Sequence, residues 1–304
     1  MNALRLTSLL SFSCLLLSCA PKINPQTAYL AQEKPNIIPQ IFAKDIISKA
    51  DEYEFGSIFS KDGTEFYYAI DLDGRTEIRF SEIRKGKWTA PIVVISHKKY
   101  SYNDPFLSPD GQELYYISDQ SMNGEGEPKD IDIWYSTRTK KGWSEPINAG
   151  ANINSSKNEY YISFTREGKM YFASNAHTNE DNKHDFDIYT SEKINQQYRP
   201  KQKLGAAINS DAYEADVFIA PDESYLIFCA NRRKVGLGRG DLYISFKDKN
   251  GNWTPSKNMG APINSDKHEL CPFVTTDGKY LFYTSNKDIY WVSTEILDQF
   301  RPTE

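Results

Sequence analysis

Residues 108–118 read SPDGQELYYIS, an Asp-Gly pair followed at once by adjacent aromatics. Gly111 accepts the positive φ that a tight hairpin turn demands, and aromatic-rich flanks suit two antiparallel strands. The arrangement returns along the chain. Turn-like pairs stand at Asp62-Gly63, Asp110-Gly111, Glu167-Gly168, Asp222-Glu223 and Asp277-Gly278, at steps of 48, 57, 55 and 55 residues. Each follows an apolar stretch (GSIFS, PFLS, YISF, DVFIA, PFVT) and precedes another rich in aromatics (EFYYAI, ELYYIS, KMYFAS, YLIFCA, YLFYTS).

A third strand is announced after a variable loop by Asp132-Ile133-Trp134, Asp187-Ile188-Tyr189, Asp241-Leu242-Tyr243 and Asp288-Ile289-Tyr290, with a weaker Glu77-Ile78-Arg79 in the first unit. A fourth is expected to begin at Trp88, Trp143, Tyr198 and Trp253, and in the last three cases to run into AGANINS, LGAAINS and MGAPINS. Four strands per unit, repeated about an axis, make a β-propeller blade. The fifth unit lacks its own fourth strand, while Pro39 to Ile47 precedes the first unit where the others carry one. The expectation is therefore an all-β fold: a single propeller of five four-stranded blades over residues 38–296, closed by an N-terminal strand, with a tail at 297–304. Closure of this kind removes open sheet edges. A six-bladed or open arrangement is the alternative, because the long second unit has room for a divergent blade.

Composition agrees with this class. The 304 residues are 25% charged and 39% hydrophobic, with 20 Tyr, 16 Phe and 5 Trp, proportions of a folded domain rather than a disordered chain. A net charge of −5 excludes the basic surface that nucleic-acid binding needs.

The five units in register resemble the WD40-like propeller repeat of the TolB type, on residues Ser108 to Tyr116 above all. The longer unit ending in L-G-x-x-I-N-S resembles the version found in bacterial envelope proteins. The chain departs from the pattern at Arg166-Glu167, at Glu223 and in its first unit. The resemblance implies a propeller serving mainly in protein contacts, although some propellers with this repeat accompany enzymes.

Residues 1–18 carry a single charge, Arg5, and an apolar run from Leu9 to Leu17 that is too short to span a bilayer. The run ends in Leu16-Leu17-Ser18-Cys19, which resembles the bacterial lipobox. On that resemblance residues 1–18 are a lipoprotein signal peptide and Cys19 is the lipidated first residue. Residues 19–37 are then a flexible tether. Ala20-Pro21-Lys22 lacks an acidic residue, which fits an outer-membrane lipoprotein facing the periplasm, with exposure at the cell surface as the alternative. A plain secretory signal, with Cys19 incidental, is the competing reading.

Four carboxylates, Glu54, Glu159, Glu214 and Glu269, each lie eight residues before their turn residue, at the start of the inner strands. A ring of them at a channel mouth suits a cation or a basic peptide. A repeated residue in a repeat protein also serves as a blade-to-blade fastener, and both readings stand at this point. The loops between second and third strands vary most, and binding concentrates on such loops. The unit-four loop carries Arg232, Arg233 and Arg239, suited to an acidic partner or a sugar carboxylate. The unit-three loop carries His177, Asp181, His184 and Asp185, weak candidates for a metal, since no Cys and no regular calcium-loop spacing accompany them. Cys229 and Cys271 fall on adjacent blades and are candidates for a disulfide or for two buried thiols. No nucleophile elbow, P-loop or dinucleotide fingerprint occurs, so no catalytic residue or cofactor is implied. The expected function is a non-catalytic protein-binding or scaffold module of the envelope, its partner an unidentified envelope protein. A glycan binder or glycan-active enzyme at the channel mouth is the alternative.

Overall fold

A computed structural model of the chain describes residues 28–178 and 185–302. Five antiparallel sheets follow one another in chain order, each built from an inner strand, its hairpin partner, a third strand and an outer one. The inner strands are Glu54–Phe59, Tyr102–Leu107, Glu159–Phe164, Tyr213–Ile219 and Leu270–Val274. The five-bladed expectation holds. Blade 5 takes its outer strand from Gln40–Ile41, whose residues pair with Trp291 and Tyr290 of Asp288–Ser293. Phe42 beyond this pairing is fully buried among Phe59, Phe66, Phe282 and Trp291, so the two ends of the propeller share one aromatic core.

The outer strands differ from the sequence reading. Trp88, Trp143 and Tyr198 pair back onto their neighbours at the tip of a turn. The strand that occupies the outer place begins later, at Ile92–Ile95, Ile147–Asn148, Gln202–Lys203 and Lys257–Asn258. Pro91, Pro146, Pro200 and Pro255 lie between the two parts. Proline lacks the N–H that a ladder needs, and it is tolerated here because the outer strand is an edge.

The ends of the chain pack further than a free tether and tail require. Tyr29, Leu30 and Ala31 take left-handed backbone angles (φ 54°, 53° and 57°) and form a strap across the junction of blades 5 and 1. The Tyr29 ring meets Phe59, Tyr280 and Trp291, and its hydroxyl donates to Asp277 at 2.7 Å. Leu30 is buried, and the Asn36 carbonyl accepts from the Ser293 amide at 2.9 Å. Left-handed backbone is costly for residues with a Cβ, and the packed Tyr29 and Leu30 side chains offset that cost. At the other end Leu297 is buried and Phe300 packs against the core. The tail therefore joins the propeller up to that point.

Candidate functional site

The I-N-S stretches explain three of the four glutamates. Ile153, Ile208 and Ile263 are buried, and the next residue, Asn154, Asn209 or Asn264, bridges the backbone N–H and C=O of the preceding blade's third strand at 2.8–3.0 Å. The following Ser155, Ser210 or Ser265 donates through its amide and hydroxyl to Glu159, Glu214 or Glu269 of the next inner strand. In blade 1 the Lys49 amide donates to Glu54 at 3.1 Å, while the Ser48 hydroxyl accepts from the Ile289 amide. All four glutamates are wholly buried. They fasten blade to blade and leave no surface for a cation or a basic peptide.

Arg233 belongs with them rather than with the exposed loop cations. Its Nε and Nη2 reach Glu214 Oε1 at 2.9 and 2.7 Å, and Nη1 donates to Ser256 at 2.7 Å. The guanidinium lies over Phe228 and Tyr243. Arg232 and Arg239 stay exposed on the same loop. His177 Nε2 lies 2.9 Å from Asp187 and 3.7 Å from Asp185. Lys203 also reaches Asp187, at 2.5 Å, so that carboxylate is already paired. Asp181, His184 and Cys19 lie outside the described residues, and no cluster with a metal-ligand set occurs among the described ones.

The axis itself carries chemistry that the repeat conceals. Two residues beyond each inner-strand glutamate, or its counterpart in blade 2, all five strands slip register, and Gly56, Asp104, Tyr161, Asp216 and Cys271 take positive φ (42–55°). Such bulges re-aim a side chain. Here they aim it at the axis, because the contacts that follow join blades that are not neighbours. Cys271 Sγ of blade 5 lies 3.5 Å from Asp104 Oδ1 of blade 2. The Tyr161 hydroxyl of blade 3 donates to the Pro272 carbonyl of blade 5 at 2.8 Å. Gly56 is required: a Cβ there would stand 2.9 Å from Asp104 Oδ1.

Asp104 and Asp216 are only 6% and 8% exposed. Burial, and then the charge of Asp216, push the Asp104 carboxyl up to about 8. Burial also raises Asp216, to about 6, against an amide bond from Cys271 that favours its ionised form. Two like charges in one dry site resist joint ionisation, so the pair titrates as a unit. Burial pushes the Cys229 and Cys271 thiols up as well. Both are free, so the disulfide alternative falls: Cys229 Sγ sits by His268 at 3.7 Å and Cys271 Sγ by Asp104. Thiols held protonated and buried are poor nucleophiles. Neither should react with maleimide in the native protein, and both should react after denaturation. Labelling of the native protein within minutes would contradict their placement.

Beneath this layer Phe106, Phe164, Phe218 and Phe273 close the axis, with ring centroids 6.0–6.1 Å apart from Phe106 to Phe164 and Phe273, and from Phe218 to Phe273. They form the floor of a funnel of about 410 Å³ that opens on the face of the inner hairpin turns. Lys61, Arg166, Pro221 and Thr276 stand at its rim. This is the face opposite the variable loops between second and third strands, where sequence reasoning placed the binding face. The rim carboxylates Asp222 and Asp277 accept bonds from Ser224 and Thr275 within their own turns, at 2.6 and 2.7 Å. Neither Lys61 nor Arg166 makes a side-chain hydrogen bond or ion pair among the described residues.

No protein-family model and no curated protein matches the sequence. Solved structures do match. The chain is 15% identical to TolB from Acinetobacter baumannii over 80% of its own length, at a TM-score of 0.49, and spans 55% of that protein. A putative TolB from Agrobacterium tumefaciens is 15% identical, covering 79% of this chain and 72% of the other at a TM-score of 0.50. A thermostable family-43 glycoside hydrolase is 12% identical, covering 81% and 90% at 0.53. The fold is a β-propeller of the kind these structures share. Likeness at such identity reaches the fold alone. Among the described residues no helix is long and apolar enough to cross a membrane.

Proposed function

We propose that this propeller is a lipid-anchored module of the bacterial cell envelope that binds a partner protein and does no chemistry of its own, with the funnel as its receptor site. The observation that carries the reading is the funnel. Five inner strands converge on an apolar floor open to solvent, beside two cations that form no ion pair among the described residues. A rigid, mostly apolar concavity with a few polar groups at its edge is the usual form of a binding site. The buried axis carboxylates do not line it, and the rim carboxylates Asp222 and Asp277 are held below the ordinary carboxylate range by hydrogen bonds such as those from Ser224 and Thr275, so neither is poised to protonate a sugar seated in the funnel. The lipobox-like end at Cys19 supports the anchor, and the resemblance of the repeat to the TolB type supports a role in protein contacts.

The test uses the lipidated protein in intact cells, captured after crosslinking. Wild type should bring down one envelope protein in near-equal amount. The Lys61→Glu/Arg166→Glu double variant should lose it at least tenfold while melting close to wild type, because both side chains are exposed and Arg166 touches the fold only through the charge of the exposed Asp222 turn. Undiminished capture by the variant would overturn the funnel as receptor.

A further inference from the structure

We infer that the funnel opens toward the membrane. The inference rests on the anchor reading above and adds to it an orientation that the strap imposes. Residue 28 is where the described chain begins, and it lies on the hairpin-turn face. Ala28 and Tyr29 line a small cavity with Lys61, Asp62, Gly63 and Thr276, of which Lys61 and Thr276 are also funnel rim. From there the chain runs up the outside of blade 5 as its outer strand, through Asn36 beside Ser293 and Gln40 beside Trp291, toward the opposite face.

The point of attachment is therefore fixed by side chains and not by the closing strand alone. Tyr29 packs on Phe59 of blade 1 and on Tyr280 and Trp291 of blade 5, and its hydroxyl holds the Asp277 turn. Only residues 19–27 carry the chain from the lipobox-like Cys19 to this point, and covalent geometry limits their reach to about 30 Å. The inner strands of five to seven residues hold the two faces about 20 Å apart. A tether of this length keeps the hairpin face nearer the bilayer and turns the loops bearing Met122 and Val235 away. A partner of the funnel then approaches from the membrane side.

The experiment is energy transfer from a dye placed on either face to a dye-labelled lipid, with the lipidated chain in vesicles. Single cysteines at Glu167 and Thr276 report the hairpin face; cysteines at Met122 and Val235 report the loop face. All four positions are exposed, while the native Cys229 and Cys271 are buried and silent. Transfer should be clearly higher from both hairpin-face sites. In the Tyr29→Ala background the strap is released and the difference between faces should fall to about half or less, since a longer free chain orients weakly. Tyr29→Phe keeps the ring contacts and should keep most of the difference. Equal transfer from both faces, with the protein still held by Cys19, would overturn the orientation alone. If the Cys19→Ser protein stays on the membrane, the anchor reading fails and the orientation falls with it.

Discussion

The Arg233→Met protein is expected to lose about 3–5 kcal/mol of unfolding free energy at neutral pH, the range for stripping one partner from a buried ion pair. Glu214 has no exposed surface, and Arg233 is the cation paired with it, at 2.7 Å. Without the guanidinium the carboxylate keeps the Ser210 amide and hydroxyl. Burial already raises Glu214 despite Ser210 and Arg233, and losing the guanidinium should push the carboxyl further in the same direction. Adding Glu214→Gln removes the stranded charge and should recover most of the loss, since removing both partners of a buried pair is often nearly neutral. Denaturant unfolding of wild type, both single variants and the double variant closes the cycle. A loss under about 1 kcal/mol in the Arg233→Met single variant would mean that Arg233 is a loop cation after all.

Asp104→Asn should act in the opposite direction and in a pH-dependent way. An aspartate whose folded pKa is raised holds its proton more tightly in the native state than in the unfolded chain. Its contribution to stability is therefore fullest below about 4 and declines as pH rises toward 8. An uncharged amide at the same position would carry no such decline. The variant should gain on wild type across that window, by a few kcal/mol (about 2–4) at pH 8, and the gain should level off above it. The groups facing the pair do not titrate within the window: burial raises the Cys271 thiol and the hydroxyls of Tyr53, Tyr160, Tyr161 and Tyr213. Asp216→Asn should give a similar but smaller gain, and the double variant less than the sum, because the two carboxyls share one electrostatic penalty. Unfolding free energies at pH 5, 7 and 9 decide it. Parallel curves for wild type and Asp104→Asn would place the carboxyls too far apart, or too wet, to interact.

Blade number and closure were legible because the fold repeats its own grammar. Asp-Gly turns and aromatic hairpins recur wherever a blade recurs, and the orphaned stretch around Ile41 had only one vacant place to fill. The glutamates were legible as a set for the same reason, though their burial shows only once Ser155, Ser210 and Ser265 are seen to hold them. The axis escaped notice because its five positions hold Gly, Asp, Tyr, Asp and Cys, and no periodicity survives such variety. Counting two residues past each glutamate would have found them. Arg233 was misplaced by its neighbours: three arginines close together read as one exposed patch, and only packing on Phe228 and Tyr243 separates it. The funnel is still harder to foresee. Whether the axis stays open at one face depends on the sizes of the side chains at the hairpin end of every inner strand, and no single motif carries that. Tyr29 lies in a polar, proline-bearing stretch with no period, so nothing local announces that it docks.

The closing strand also sets the order in which the molecule can be finished. Gln40 and Ile41 leave the ribosome early, yet their partners Tyr290 and Trp291 follow about 250 residues later. Pairing so distant in sequence is slow, because its loop entropy must be met before the contacts form. Until then blade 5 has no outer strand, blade 1 lacks its neighbour, and the rings of Phe42, Phe59 and Trp291 stand in water. A chain crossing a membrane N-terminus first would wait in this open form through almost the whole of its passage. During that interval escorting chaperones, rather than the propeller's own seam, would have to keep its edges apart from those of other copies.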